Sequence, residues 1–182
     1  MQGVHITGAS GSGVTTLGRV LAERLGWVHL DTDSFYWLPT DPPFRERRPS
    51  EPRMAMLRSA ISAAREGWTL SGSLDGWGDP LIPVFRLAVF VFTPQPVRMA
   101  RLIAREQERY GEAIAPGGPM HEQHLEFVRW AEGYDRGEQS GRSLPRHQAW
   151  LATLPCPVLR LDGALPTEVL MQTVLNRLET LG

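Results

Sequence analysis

A run rich in glycine and serine near the start of the chain has the spacing of a phosphate-binding loop. It reads Gly8-Ala9-Ser10-Gly11-Ser12-Gly13-Val14-Thr15-Thr16 and matches the pattern G-x-x-x-x-G-K-[ST] at every position but one. Glycines permit backbone torsions that turn successive N–H groups inward, and a following helix adds its own free N–H groups. We therefore expect this run to bind phosphate, with the Thr15 hydroxyl as a Mg²⁺ ligand. The alternative is a turn that only joins a strand to a helix.

The position of the loop lysine is occupied by Val14, whose side chain carries no charge and donates no hydrogen bond. A lysine at this position normally reaches the outer phosphates. The chain contains no lysine at all, and its 19 basic residues are all arginines. Positive charge on a bound phosphate must therefore come from arginine, and the loop alone supports binding more than transfer.

Arginines at helical spacing are the candidates to supply that charge. The first set is Arg98, Arg101, Arg105 and Arg109. Their spacing places them within about 80° on one face of a helix, while Arg142 and Arg146 come from a later segment. We expect Arg105, followed by Arg101 and Arg142, to bind the phosphoryl group as two-point clamps. The alternative is a solvated basic face whose partners are glutamates of the same helix.

Two carboxylates, Asp31 and Asp33, follow the second short apolar segment of the chain. In an open α/β sheet the carboxyl ends of the strands form the ligand-binding edge. Both aspartates are therefore candidates to hold Mg²⁺, and Asp33 is the better candidate to accept a proton from a hydroxyl group. The alternative is that the pair caps and turns the chain into a helix.

Two further segments are candidates to bind a second substrate. Phe35-Tyr36-Trp37 precedes Arg45, Arg47 and Arg48, so that rings and guanidinium groups could hold an anionic molecule, although the rings could equally cover the core. The run 72–79 is rich in Gly and Asp and is either a close approach to a ligand or a tight turn. A metal site at His121 and His124 is disfavoured because no third ligand is evident.

Alternating apolar segments predict the elements that position these residues. Strands are expected at 4–7, 27–30, 68–71, 87–93 and 157–161, and helices at 14–25, 51–65, from 96, 121–134, 145–154 and 167–181. The stretch 32–49 is predicted to be an ordered loop or broken helix, and Ser50 to cap the helix that follows. Strands that alternate with helices indicate a parallel sheet with helices on both faces.

Composition excludes several classes of protein. The 182 residues suit one domain, and 42% hydrophobic residues rule out a wholly disordered chain. A net charge of −1 argues against a sequence-blind nucleic-acid binder. The single Cys156 fits a reducing compartment, the start Met1-Gln2-Gly3-Val4 lacks a secretory signal, and the longest apolar run, 87–92, is too short to cross a membrane. We expect a cytoplasmic protein with neither nucleic-acid nor membrane partners.

In these features the chain resembles the adenylate kinase-like family of small-molecule and nucleoside monophosphate kinases. The likeness rests on the run 8–16, on Gly67-Trp68-Thr69-Leu70-Ser71-Gly72, on 87–105, and on 158–169 with Asp162-Gly163. It implies a three-layer P-loop NTPase fold with a five-stranded parallel sheet, an acceptor-side loop and helix at 32–66, and a helical lid at about 111–146. Gly163 would lie beside the adenine. The chain departs from the family at Val14 and at Ser71, which stands where the family has an aspartate.

The resemblance implies ATP binding, Mg²⁺ and transfer of the γ-phosphate to a small acceptor, possibly a nucleotide. Two alternatives remain because of the substitutions at Val14 and Ser71. One is a nucleotide-binding module with little or no turnover, and the other is an enzyme that hydrolyses the nucleotide. A lid favours transfer over hydrolysis because closure excludes water.

Overall fold

The computed structural model describes residues 3–182. Met1 and Gln2, which belong to the stretch considered above for a secretory signal, lie outside the described residues. No helix within 3–182 combines the length and the apolar character that crossing a bilayer requires.

A five-stranded parallel sheet forms the centre of the molecule and confirms the predicted α/β class. Its strands are β1 (Gly3–Gly8), β2 (Val28–Asp31), β3 (Trp68–Ser71), β4 (Leu87–Phe92) and β5 (Val158–Asp162). They lie in the order β2-β3-β1-β4-β5. Since β1 lies between β3 and β4, the chain leaves β1 where connections run to opposite sides of the sheet, which is where open sheets form their binding crevice.

Seven helices connect or follow the strands in the described part of the chain. They are α1 (Val14–Leu25), α2 (Thr32–Tyr36), α3 (Ser50–Ala63), α4 (Gln95–Tyr110), α5 (His121–Glu132), α6 (Leu144–Ala152) and α7 (Thr167–Thr180), with short 3-10 segments at Asp79–Val84 and Gly111–Ile114. The segment predicted as a loop or broken helix contains the short α2 and then an irregular return, in which Trp37 bridges Arg47.

The two faces of the sheet bury different sets of side chains because successive residues of a strand point in opposite directions. On β1, Val4 and Ile6 join Leu17 of α1 and Val174 of α7 in one cluster. The other face packs against α3 and α6, with Leu57, Ile61, Trp150 and Leu151 in its cluster. Each of these large side chains stabilises the fold by about 1.5–3 kcal/mol when fully buried.

One local prediction is wrong. Ser50 does not cap α3, because the helix already begins at Ser50, with Pro49 at the cap position and no side-chain hydrogen bond there.

Two tryptophans lie in different parts of the molecule. Trp150 of α6 is in the sheet core, in edge contact with His5 and Phe85. Trp130 of α5 packs beside α4, in a small cluster with Met99 and Leu102.

Candidate active site

An open cleft of about 950 Å³ lies at the carboxyl edge of the sheet. Its volume is at the upper end of the range for small-molecule sites, about 300–1,000 Å³. From the glycine-rich run it exposes Ala9, Ser10, Gly11, Gly13, Val14, Thr15 and Thr16. Gly8 and Ser12 lie beneath this surface and shape the loop rather than line the cleft. The cleft is thus built around the predicted phosphate loop.

Backbone geometry accounts for the glycines of this loop. Gly11 and Gly13 have φ values of 79° and 92°, in the left-handed region that favours glycine. A Cβ atom on Gly11 would also lie 2.2 Å from the carbonyl oxygen of Arg98. Below them the Ser12 hydroxyl is buried and donates a hydrogen bond of 2.7 Å to the Ala9 carbonyl, which holds the turn. The loop therefore presents backbone to the cleft at the start of α1.

Ser71, which replaces the expected acidic residue, has a structural role. It is fully buried, and its hydroxyl donates to the Val14 carbonyl at 3.0 Å. The same oxygen lies 3.1 Å from Nε2 of His29. These contacts tie the end of β3 to the first turn of α1, so Ser71 steadies the phosphate loop and leaves the carboxylates of the cleft to come from elsewhere.

Those carboxylates are Asp31 and Asp33. The Thr15 hydroxyl donates to Oδ2 of Asp31 at 3.1 Å, and the Asp33 backbone N–H donates to Oδ1 of Asp31 at 3.0 Å. Asp31 thus also caps α2, as the alternative interpretation of the pair proposed. Both aspartates line the cleft beside the loop, so capping and participation in the site occur together.

The Thr15–Asp31 pair fits the Mg²⁺ that the resemblance implies. Adjacent ligands of an octahedral Mg²⁺ with metal–oxygen distances of about 2.1 Å lie about 3 Å apart, close to the 3.1 Å between Oγ1 of Thr15 and Oδ2 of Asp31. Within residues 3–182, no group of three or more His, Cys, Asp and Glu side chains could hold a metal. An ion at this position would therefore complete its shell with water and phosphate oxygens, as Mg²⁺ commonly does.

The carboxyl group of Asp33 has a raised pKa. The main cause is loss of hydration between the walls of the cleft, and the second is repulsion by Asp31. Arg142, a hydrogen bond from the Trp37 side chain, and Arg105 oppose the increase. A carboxylate with a raised pKa and partial access to the cleft is suited to accept a proton from a substrate hydroxyl.

Arg142 reaches the phosphate loop from the far side of the cleft. Its Nη2 donates to the Ser10 hydroxyl at 2.7 Å, and its guanidinium group lies 5.0 Å from the centre of the Trp130 ring. Its Nε is buried and has no hydrogen-bond partner among the described residues. Burial lowers the pKa of Arg142, although a guanidinium group remains charged at neutral pH. A positive charge thus rests on a loop that has no lysine.

The arginine stripe on α4 divides into two parts. Arg101, Arg105 and Arg109 line the cleft, whereas Arg98 is completely buried away from it. Arg98 donates to the Ala131 carbonyl at 2.7 Å and forms an ion pair with Asp135 at 3.2 Å. The spacing that places all four arginines on one helix face therefore does not bring Arg98 to the cleft, because the end of α5 and the residues just after it cover that end of the stripe.

The remaining stripe residues differ in how they are held. Arg101 donates to the carbonyl oxygen of Gly163 at 2.7 Å, which joins α4 to the turn after β5. Arg105 pairs with Glu106 at 3.1 Å, as the surface-charge alternative proposed, but its Nε is buried and unpartnered among residues 3–182. Arg101 and Arg105 therefore each keep N–H groups that can donate hydrogen bonds to a ligand in the cleft.

Arg146 is held by a carboxylate of the glycine-rich segment 72–79. Its Nε and Nη2 donate to the two carboxylate oxygens of Asp75 at 2.8 and 3.2 Å. Both side chains line the cleft. Gly72 lies so close to Thr32 that an added Cβ would be 1.9 Å from the Thr32 hydroxyl. The segment is thus both a tightly packed turn and a wall of the cleft.

The three arginines of the acceptor-side loop have different environments and contacts. Arg47 lines the cleft and its guanidinium lies 5.9 Å from the centre of the Tyr36 ring. Arg48 instead holds the loop together, since it donates to the carbonyl groups of Phe35 and Trp37. Arg45 is exposed and is not part of the cleft lining. Tyr36, Trp37, Phe44 and Trp77 supply aromatic surface to the same region.

Arg53 is a residue of this region that sequence patterns did not reveal. It lies on α3 with 8% of its surface exposed, and its guanidinium is sandwiched 4.4 Å from each of the Tyr36 and Trp77 rings. Among the described residues it has no ion-pair partner, and its Nε has no hydrogen-bond partner. Buried charges are normally paired. In a sequence, an arginine within a helix is normally interpreted as a surface residue. Only the tertiary structure shows that the rings of Tyr36 and Trp77 enclose Arg53.

Comparisons with known proteins place the fold and the family. No family model matches the chain. The Bacillus subtilis protein YqaC, described as uncharacterized, is 40% identical over 179 residues, which is 98% of each chain. The chain belongs to the YqaC family. A cytidylate kinase from Methanoregula boonei is 24% identical over 141 residues, which is 72% of this chain and 75% of that protein.

Solved structures confirm the fold of this YqaC relative. A shikimate kinase from Bacteroides thetaiotaomicron superposes with a TM-score of 0.60 over 98% of both chains, at 16% identity. The chain therefore has the three-layer fold of the P-loop kinases, as the resemblance implied. At this level of identity the likeness describes the fold, and function must be argued from the cleft itself.

Proposed function

We propose that this protein is a phosphotransferase that moves the γ-phosphate of ATP to a hydroxyl group of a small acceptor, with Mg²⁺. The observation that carries the proposal is the 2.7 Å contact of Arg142 with Ser10. Phosphoryl transfer needs fixed positive charge around the moving group. The loop itself supplies no lysine, and Arg142 brings a guanidinium group directly onto it.

The other groups of the cleft have complementary tasks in this proposal. The backbone of 8–16 binds the phosphates, and the turn at Gly163 adjoins the base of the nucleotide. Thr15 and Asp31 would hold Mg²⁺, which would offset the negative charge of the phosphates. Arg105 and Arg101 clamp the transferred group from the α4 side.

Asp33 completes the chemistry as the base. Its carboxylate takes the proton of the acceptor hydroxyl while that oxygen bonds to the γ-phosphorus, and ADP departs with the electron pair of the broken bond. The segment 111–146 acts as the lid. Two contacts support this role: Gln123 of α5 donates to the Pro43 carbonyl of the acceptor-side loop at 3.0 Å, and Arg142 reaches the phosphate loop. Such contacts exclude water during transfer.

The acceptor in this proposal is a small, hydroxylated and negatively charged molecule held by the segment 32–66 and its neighbours. Arg47 and the aromatic rings of Tyr36, Trp37 and Trp77 form this side of the cleft. The guanidinium of Arg53 lies outside the cleft lining, between the Tyr36 and Trp77 rings, and adds positive charge to this side of the cleft. An anionic acceptor group would be attracted by this charge and by that of Arg47.

The second candidate function is a nucleotide-binding module that turns over little or none. It is favoured by the two positions at which this cleft lacks a catalytic group of the resembled family. Val14 offers no side-chain donor to the phosphates. Ser71 is committed to the Val14 carbonyl and to His29. Under this alternative ATP binds with Mg²⁺, and no acceptor is phosphorylated.

Titration calorimetry with ATP, ADP and AMP, followed by an acceptor screen with Mg²⁺, tests both candidates. We expect ATP to bind and an acceptor to consume it, and the Arg142→Ala variant to lose about 10²-fold or more in turnover. Arg136→Ala is the matched control, because Arg136 forms an exposed pair with Glu138 outside the cleft lining. ATP binding without any phosphorylated product supports the module, and no binding of any nucleotide excludes both.

A further inference from the structure

A buried histidine that the proposed chemistry does not use connects three separate elements. His147 of α6 is completely buried. Its Nδ1 lies 2.7 Å from the Tyr134 hydroxyl, just after α5, and its Nε2 lies 2.9 Å from the Ser73 hydroxyl, just after β3. Of these three residues only Ser73 lines the cleft. The chain of hydrogen bonds therefore begins in the interior and ends at the cleft wall.

The imidazole of His147 is neutral at physiological pH. Burial is the main cause that lowers its pKa to about 3. Arg142, His5 of β1 and Arg146 lower the pKa further by repelling a positive charge on the ring. The Tyr134 hydroxyl keeps its proton for a related reason, since burial raises its pKa. A neutral imidazole has one N–H donor and one acceptor nitrogen, so the two hydrogen bonds of His147 must run in one direction along the chain.

The surroundings of Tyr134 decide that direction. Tyr134 is 5% exposed, and its hydroxyl has His147 as its one hydrogen-bond partner within the described residues. The nearby Arg98 lies over the Tyr134 ring and cannot accept a proton. If Nδ1 carried the proton, the phenolic O–H would be left without an acceptor in the interior, which is unfavourable for a buried donor. Tyr134 therefore donates to Nδ1, and Nε2–H donates to Ser73.

We propose that Ser73 binds the acceptor substrate as a hydrogen-bond donor, and that His147, held by Tyr134, is the positioning residue that orients its hydroxyl. The Ser73 oxygen receives the Nε2–H of His147, so its own O–H is available to the cleft. A donor at this position is complementary to an accepting oxygen, and most strongly to the charged oxygen of a carboxylate or phosphate group. This inference rests on the proposed function and names the anionic end of its acceptor.

Nearby charges are consistent with that selection. Asp75, two residues along the same segment, has both carboxylate oxygens engaged by Arg146. The carboxylate closest in sequence is thus neutralised and does not repel an anion bound at Ser73. Trp77 donates its indole N–H to the Ser73 carbonyl at 3.0 Å, which holds the backbone of Ser73 in place. Ser73 is thus held through both its hydroxyl and its backbone carbonyl before a substrate arrives.

Long-range ¹H–¹⁵N spectra of the histidine rings test the hydrogen-bond chain without any turnover. We expect His147 to be entirely in the form protonated at Nε2, and the Tyr134→Phe variant to lose that preference because Nδ1 no longer has a donor. The signal is assigned by its absence in a His147→Gln variant. A His147 ring protonated at Nδ1 in the wild type overturns the inference, whatever the enzyme phosphorylates.

Paired acceptors test the substrate contact. The probes are glycerol with glycerate, glucose with gluconate, and adenosine with AMP, each pair differing by an anionic group. We expect the anionic member of a pair to be phosphorylated preferentially, and Ser73→Ala to raise its KM about tenfold or more while the KM for ATP stays the same. Ser59→Ala, at an exposed position of α3, is the control. An unchanged KM in Ser73→Ala overturns the Ser73 assignment, whereas ATP binding with no product from any pair contradicts the proposed function.

Discussion

The Thr15 hydroxyl and the Asp31 carboxylate meet at 3.1 Å, although one residue lies in the first turn of α1 and the other ends β2. Both strands preceding these residues run in the same direction and pair with β3 between them. The parallel sheet therefore brings the two oxygens to one point beside the phosphate loop. Their separation is that of neighbouring Mg²⁺ ligands.

Asp31→Asn is expected to weaken the binding of Mg²⁺. The amide lacks the negative charge that attracts the cation, so the Mg²⁺ concentration for half-maximal turnover should rise about tenfold or more. A titration of turnover with Mg²⁺ at fixed ATP measures this effect. Glu23→Gln, at an exposed position of α1 outside the cleft, is the control. The same half-maximal concentration in Asp31→Asn and the wild type would remove Asp31 from the metal site.

Arg105→Ala is expected to reduce turnover by about 10²-fold or more, because it removes a positive charge and an unpartnered donor next to the cleft. Steady-state kinetics under saturating ATP measure the loss. Glu106, the ion-pair partner of Arg105, has only 10% of its side chain exposed, so the variant leaves a largely buried carboxylate without its partner. A thermal melt of the variant therefore accompanies the kinetics, to separate loss of turnover from loss of fold. The control is Arg58→Ala, an exposed arginine of α3 outside this cleft. A rate unchanged by Arg105→Ala would exclude this residue from the mechanism.

The pH profile of turnover is expected to report the carboxyl group of Asp33. Desolvation and Asp31 raise its pKa above the ordinary value of 3.8, so activity should fall as the pH decreases through that raised pKa. Arg105 opposes the increase. Arg105→Gln should therefore move the acidic limb of kcat/KM to higher pH in the residual activity. A limb that stays in place, or moves to lower pH, contradicts the role of Asp33 as the base.

Buried histidines are expected to make the fold sensitive to acid. Burial lowers the pKa of His5 from 6.5 to about 4, so below pH 6.5 the unfolded chain binds a proton that the folded chain does not. Stability from this group is fully present above that pH and decreases on acidification, by up to about 1.4 kcal/mol per pH unit. Urea unfolding between pH 7 and pH 4 measures the slope. His5→Gln should make it shallower, and an unchanged slope would refute the linkage.

The sheet and the phosphate loop were predictable because they depend on patterns among residues that are close together in the sequence. Short apolar runs that alternate with helical stripes specify β1 to β5 and α1 within one or two residues. The glycines at 11 and 13 encode left-handed torsions directly. The N-terminus of α3 was harder, because Ser50 is a good cap in sequence, yet Pro49 already occupies that position. Local capping preferences are small compared with the packing that sets where a helix begins.

The arginines show what patterns among neighbouring residues cannot predict. Charge and helical spacing alone do not distinguish Arg98 from Arg105, yet Arg98 is buried against Asp135 and Arg105 lines the cleft. The pairing of Arg146 with Asp75 and the stacking of Arg53 between two rings join residues far apart in the chain. Such contacts depend on which helix covers which strand, and spacing along one helix contains no such information.

The amino-acid sequence alone determined the class of fold, the anion-binding turn and the lack of a lysine to serve it, because these depend on residue type and on neighbours a few positions away. Only the tertiary structure decided that Arg142 reaches Ser10, and that His147 links Tyr134 to Ser73. Each of these contacts joins segments whose distance is set by the packing of whole helices on the sheet. A directed hydrogen bond requires its donor and acceptor within about 3 Å, and only the folded chain defines positions on that scale.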